Sequence, residues 1–224
     1  MKKQSIASTL VAAVALCGAG AAHAQAAGSM LVKLGWNRIT PHVQSGDLSP
    51  PALPGSTIDI KSASALFFTA TYMFTEDISM ELLGGLPYKH DIVGAGAVSG
   101  VGKIGSVHQV SPTLLLQYRF MQANAPLRPY VGAGVTYARF YDTEGSAALT
   151  ALTNPGGSPT TIGSDTAFGA TIEGGLNYKI DDHWFLDTAI LKTFITTNPV
   201  LSTGQTISAK LNPTSVNLSV GYRF

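Results

Sequence analysis

Four kinds of residue in this chain could do chemistry, and their spacing argues against each use. His42, His90, His108 and His183 are potential metal ligands, but no H-x-x-x-H or HExxH spacing joins any two of them. Asp91 beside His90, with Ser106 near His108, supplies the parts of a hydrolase triad. No G-x-S-x-G turn is present to aim the serine. Gly94-Ala95-Gly96 and Gly132-Ala133-Gly134 are glycine-rich, yet the first falls in an expected loop and the second inside an expected strand. Without a helix behind them they are not phosphate cradles, and small residues there let a sheet bend or side chains cross. Cys17 follows Leu16, where a lipoprotein site needs a small residue. The chain is therefore expected to be no enzyme and to hold no metal or cofactor. A lipid-editing enzyme is kept as a minor alternative, tested by screening for acyl release.

The start of the chain sets the compartment. Lys2 and Lys3, the apolar stretch Ile6 to Ala22 and the Ala22-His23-Ala24 site read as a secretory signal peptide, residues 1–24, removed on export. The remainder, 25–224, is expected to be a single domain without cysteine, so disulfides cannot hold it together. Losing Lys2 and Lys3 leaves 12 basic residues against 13 acidic, which offers no field for nucleic acid. Only 12% of residues are charged and 24 are glycine, an unusual balance for a soluble core of this size. Yet no run of 18 apolar residues follows the leader, so a spanning helix is excluded.

A chain that is greasy on average and never continuously so suits a transmembrane β-barrel, whose strands alternate lipid-facing and lumen-facing residues. The C-terminus is the clearest case: Val216, Leu218, Val220, Tyr222 and Phe224 alternate with Asn217, Ser219, Gly221 and Arg223. Seven more segments follow the rule, at 30–38, 64–74, 78–86, 112–120, 129–141, 168–180 and 184–194. The connectors alternate strictly, short or medium then long. Thr75 to Asp77, Met121 to Arg128 and Asp181 to His183 are the turns; Ile39 to Ala63, Pro87 to Ser111, Asp142 to Ala167 and Ile195 to Leu211 are the loops. Aromatic residues gather at the short-turn end: Tyr72, Phe74, Tyr118, Phe120, Tyr178, Trp184, Tyr222 and Phe224. The expected fold is an all-β, eight-stranded antiparallel barrel of a Gram-negative outer membrane, with periplasmic turns and extracellular loops. A soluble sandwich shares the alternation but explains neither the girdle nor the loop pattern.

Four stretches in order resemble the OmpW family: Thr71-Tyr72-Met73 through Glu81-Leu82-Leu83 to Pro87-Tyr88-Lys89-His90; Arg128 to Gly134 with Tyr137, Phe140 and Asp142; Leu211-Asn212-Pro213; and Gly221-Tyr222-Arg223-Phe224. The resemblance implies a narrow, largely apolar lumen and passage of small hydrophobic molecules. It also implies that Tyr222 and Phe224 form the C-terminal signal read by the barrel-assembly machinery. Leu191 and Lys192 depart from the family, which commonly carries aromatic residues there.

Inward parity divides the expected lumen into two parts. Lys33, Glu81, Arg119, Lys179, Asp187 and Arg223, with Glu173 higher up, form a charged floor, read as a paired network and alternatively as an ion-selectivity ring. Above it the inward residues turn apolar at Phe67, Leu83, Leu115 and Leu191. Either they simply pack a solid barrel, or they form a greasy funnel with Leu83 and Leu191 as a gate, from which a solute leaves sideways into the bilayer. The expected partners are outer-membrane lipid, small hydrophobic solutes and the assembly machinery. The alternative is a structural or adhesive barrel acting through its loops.

Overall fold

A computed structural model describes residues 26–224, so the leader and its cleavage site lie outside the described residues. The chain runs β1 (Met30–Thr40), β2 (Gln44–Ser45), β3 (Ser56–Ile60), β4 (Ala63–Met73), β5 (Ile78–Gly85), β6 (Tyr88–Gly96), β7 (Lys103–Val110), β8 (Thr113–Arg119), β9 (Leu127–Gly145), α1 (Ala147–Thr153), β10 (Asp165–Lys179), β11 (Trp184–Phe194), β12 (Thr196–Thr197), β13 (Ala209–Lys210) and β14 (Thr214–Arg223). Eight of these close a barrel in the order β1-β4-β5-β8-β9-β10-β11-β14, with β14 paired back on β1. All eight are antiparallel and follow the alternating segments of the sequence within a few residues.

The pleat explains the sequence pattern. Outward positions stay apolar and exposed from end to end, with Leu34 at 64%, Leu218 at 63% and Phe168 at 76% exposure. So much exposed apolar surface on one wall is a face for acyl chains. At the short-turn end the rings meet edge to face, Tyr72 on Phe74, Tyr118 on Phe120 and Trp184 on Tyr222. Side chains shape the turns. Thr75 Oγ1 accepts from the Asp77 and Ile78 amides, and Asp181 Oδ1 accepts from those of His183 and Trp184. Those two amides hold the Asp181 carboxyl below its usual range.

Two glycines make room for rings inside the tube. Gly175 faces Tyr130 across β10 and β9, and Gly221 faces Phe185 across β14 and β11. A Cβ at either position would run into the opposing ring.

The long connectors depart from the sequence expectation. Pro87 to Ser111, expected as loop, is mostly the hairpin β6–β7, which pairs with an extension of β9 on one side and with β3 on the other. Asp142 to Ala167 contains α1, capped by Ser146 Oγ accepting from the Leu149 amide at 3.2 Å. The first and last loops pair as β2–β13–β12, and bridges join Ile162 to Leu201 and Val200 to Thr206. All four loops are thus tied into one cap. Its core is Ile92, Ile104, Val107, Phe140, Leu149, Ile195, Leu201 and Leu211, with Ile58, Ile60, Leu152 and Ile162 packed against it.

Candidate functional site

From the short-turn end upward, the barrel interior is a stack of layers. Leu31, Met73 and Phe185 form an apolar base. Above it Lys33 Nζ lies 2.9 Å from Glu81 Oε2 and 3.1 Å from Asp187 Oδ1, all three buried. Thr71 Oγ1 donates to Glu81 at 2.7 Å, and Tyr130 Oη donates to Asp187 at 2.9 Å. Arg119 is held by neutral groups: Ser79 Oγ at 3.1 Å, Gln117 Oε1 at 2.8 Å and Asn177 Oδ1 at 2.5 Å. Its guanidinium lies 4.8 Å from the centre of the Tyr130 ring. Glu173 accepts from Gln117 Nε2 at 2.7 Å.

The expected charged floor is therefore smaller than parity suggested. Lys33, Glu81 and Asp187 come together, with Arg119 and Glu173 attached through polar neighbours. Lys179 stands apart: it pairs with Asp182 at 2.7 Å in the periplasmic turn, where its side chain is partly exposed. Arg223 is buried, but its Nε and Nη1 have no hydrogen-bond partner, and it forms no ion pair among the described residues. The reason is position, since inward parity at a strand's last residues points past the floor toward the rim.

Phe67, Leu83, Leu115 and Leu191 pack into one buried cluster, joined by Tyr130 and Ala189. This cluster lies one layer above the charges. Higher up the lining turns polar again. Tyr88 Oη donates to Asn37 Oδ1 at 2.8 Å, and Asn37 donates to Asn217. Thr113, Thr136, Thr171 and Thr193 link hydroxyl to hydroxyl across four strands. A small chamber sits here, bounded by Asn37, Ile39, Leu83, Tyr88, Gln109, Thr113, Leu191 and Pro213. Asn37, Thr136, Thr171 and Asn217 have inward parity and were legible as lining. Tyr88 was not, because it arrives from the second loop.

Two apolar clefts lie in the cap above. One of about 690 Å³ is lined by Leu48, Leu53, Ile58, Ile92, Val98, Ile104, Leu149, Leu152, Leu201 and Ile207. The other, about 430 Å³, shares Ile58, Ile92 and Ile162 and is lined further down by Val107, Phe140 and Leu211. The apolar residues scattered through the loops were the signal for these clefts, and the reading of those stretches as irregular hid it.

The wall of the chamber is broken on one side. The β5–β8 register ends at Leu83–Thr113 and pairing resumes only at Tyr88–Gln109, between β6 and β7. Residues 84–87 and 110–112 lie between, with Pro87 and Pro112 lacking amide hydrogens for a ladder. Each flank is held from behind, by the Leu86 amide on Leu66 O and the Tyr137 amide on Pro112 O.

The residues that could have made a catalytic or metal site are dispersed. His90 points inward with Nδ1 2.8 Å from Lys61 O, while Asp91 points outward and pairs with Lys103 at 2.5 Å. Ser106 Oγ donates to Glu144 at 3.1 Å, and His42 Nε2 contacts Thr214 Oγ1. Among the described residues no group of three or more His, Cys, Asp or Glu side chains could hold a metal. His90 does bear on the cap: burial pulls its pKa below the usual histidine value. The native state then binds fewer protons than the unfolded chain, so β6–β7 loses stability as the pH falls through the unfolded value of about 6.5. Amide protection factors along β6 and β7 should fall between pH 7 and pH 5, and His90→Gln should remove that fall.

A family model described as OmpW family matches residues 26–224. The chain is 34% identical over 223 residues to outer membrane protein W of Salmonella typhi, covering 96% of this chain and 98% of that protein. It is 30% identical over 201 residues to outer membrane protein W of Vibrio cholerae, covering 88% of this chain and 89% of that protein. Among solved structures, the outer membrane protein OprG from Pseudomonas aeruginosa superposes with a TM-score of 0.79 at 26% identity, over 90% of this chain and 99% of that one.

Proposed function

This chain belongs to the OmpW family of outer-membrane β-barrels, and from that premise we propose that it takes up small hydrophobic molecules and releases them sideways into the bilayer. The observation that carries this reading is the break between Leu83–Thr113 and Tyr88–Gln109, which opens beside the chamber and above the buried cluster. A solute entering the cap's apolar clefts gains roughly 25 cal/mol for each Å² removed from water. Straight passage is blocked by Leu83 and Leu191, with Phe67 and Leu115 behind them and the Lys33 cluster below. In this reading Leu83 and Leu191 are the floor that turns the solute aside. The polar chamber raises the free energy of an apolar solute, so it is a place of transit and the lipid is the more favourable destination. In the same scheme Tyr222 and Phe224, packed edge to face at 4.9 Å, are the signal for the assembly machinery.

Leu86 and Val110 stand on opposite sides of the break, which makes the route testable. In Leu86→Cys/Val110→Cys, a short bifunctional thiol reagent will staple the flanks. Uptake of a hydrophobic solute into liposomes should fall at least tenfold on stapling and return when a cleavable linker is cut. Unchanged uptake through the stapled protein would remove the lateral route. A second reading, an adhesive barrel acting through its loops, is favoured by their union into one cap, and it predicts no solute uptake in either state.

A further inference from the structure

Where the lipid-facing apolar wall ends on the extracellular side, the next outward residue on three strands is a cation. Arg38 follows Trp36 on β1, Arg139 follows Tyr137 on β9, and Lys89 follows Leu86 just above the break in the wall. All three are exposed, and none forms an ion pair with any described residue. Lys89 stands about two strands from each of the others, whereas Arg38 on β1 is four strands from Arg139 on β9, across the eight-stranded ring from it. Lys89 faces His108 on β7, His108 faces Tyr141 on β9, and Arg139 is the next outward residue below Tyr141. Arg38 lies opposite Ser64 on β4, on the other side of Lys89. The local acids are already engaged, Asp142 with His108 at 3.2 Å and Asp91 with Lys103 at 2.5 Å. At the opposite end of the wall the cations Arg128 and Lys179 are paired with the turn acids Asp77 and Asp182.

We propose that Lys89 and Arg139 form a docking surface for a phosphorylated glycolipid of the outer leaflet, its phosphates on the two cations and its acyl chains on the apolar wall below. Two features favour this occupant. The cations sit only where the greasy face gives way, at headgroup depth. Lys89 and Arg139 are also two strands apart, about 10 Å, a span suited to a headgroup bearing more than one phosphate. Arginine forks and lysine point charges are the groups that recognise phosphate oxygens.

The test uses the full protein in neutral detergent micelles doped with diphosphoryl lipid A, its dephosphorylated counterpart or phosphatidylglycerol, with bound lipid counted by native mass spectrometry. At roughly fivefold per cation near an anionic surface, Lys89→Gln/Arg139→Gln should hold diphosphoryl lipid A about 25-fold less tightly. Arg139→Lys should retain most binding, and Lys179→Gln at the far end should change nothing. Heat-modifiable gel mobility confirms that each variant is folded. Equal retention of diphosphoryl lipid A by the double variant would overturn the proposal. So would equal binding of the dephosphorylated lipid, or of phosphatidylglycerol, by the unaltered protein.

Discussion

Lys33→Met will lower the unfolding free energy of the barrel by about 3–5 kcal/mol. Among the described residues Lys33 is the one cation paired with both Glu81 and Asp187, and all three side chains are buried. Methionine keeps the volume and removes the charge, leaving two carboxylates a few ångströms apart with no countercharge between them. The remaining donors, Thr71 Oγ1 on Glu81 and Tyr130 Oη on Asp187, are neutral and cannot offset that. Urea titration of the protein refolded into bilayers, followed by tryptophan emission, measures the loss. The triple variant Lys33→Met/Glu81→Gln/Asp187→Asn should recover most of it, because the penalty comes from breaking the group, not from lacking one. A loss below 1 kcal/mol for Lys33→Met would mean that water reaches this layer and screens it.

The second large effect concerns two small residues on opposite sides of the tube. Gly35 on β1 and Gly134 on β9 are four strands apart in either direction around the eight-stranded ring. A Cβ on Gly35 would fall on the Leu218 carbonyl oxygen and within 2.7 Å of Ser219 Cα. One on Gly134 would fall on the Leu114 carbonyl oxygen and within 2.8 Å of Leu115 Cα. The obstacle is backbone in both cases, so no rotamer change relieves it and the strands must part. Gly35→Ala and Gly134→Ala should each cost about 3 kcal/mol or more, at the upper end of overpacking penalties. The double variant should yield little heat-resistant barrel on a gel. By contrast, Gly174→Ala, where a Cβ meets nothing within 4 Å, should behave like the unaltered protein.

The contrast between what the sequence reveals and what it hides follows the boundary of the membrane. Leu66-Phe67-Phe68 and Val216-Asn217-Leu218 announce strands because one face meets acyl chains and must be greasy. Tyr88-Lys89-His90-Asp91-Ile92 is equally extended, yet its outward residues meet water, so Lys89 and Asp91 erase the lipid-facing stripe. Hence the hairpin β6–β7 read as loop. The buried cluster was legible because Phe67, Leu83, Leu115 and Leu191 are inward by parity alone. The floor was legible in part: parity identified Lys33, Glu81 and Asp187, but it cannot tell a strand's middle from its end, which misplaced Lys179. The break beside the chamber depends on which residues face one another across β5–β8 and β6–β7. Pro87 and Pro112 give no hint of it until the register is known.

The tying of all four loops into one body changes what this protein shows to the world outside the cell. β2 from the first loop lies against β13 from the last, β3 against the second loop, and the third loop bridges to the fourth at Ile162 and Leu201. An antibody or phage fibre therefore meets a surface assembled from distant stretches of chain. Serum raised against any single loop peptide would recognise the unfolded polypeptide better than the living cell.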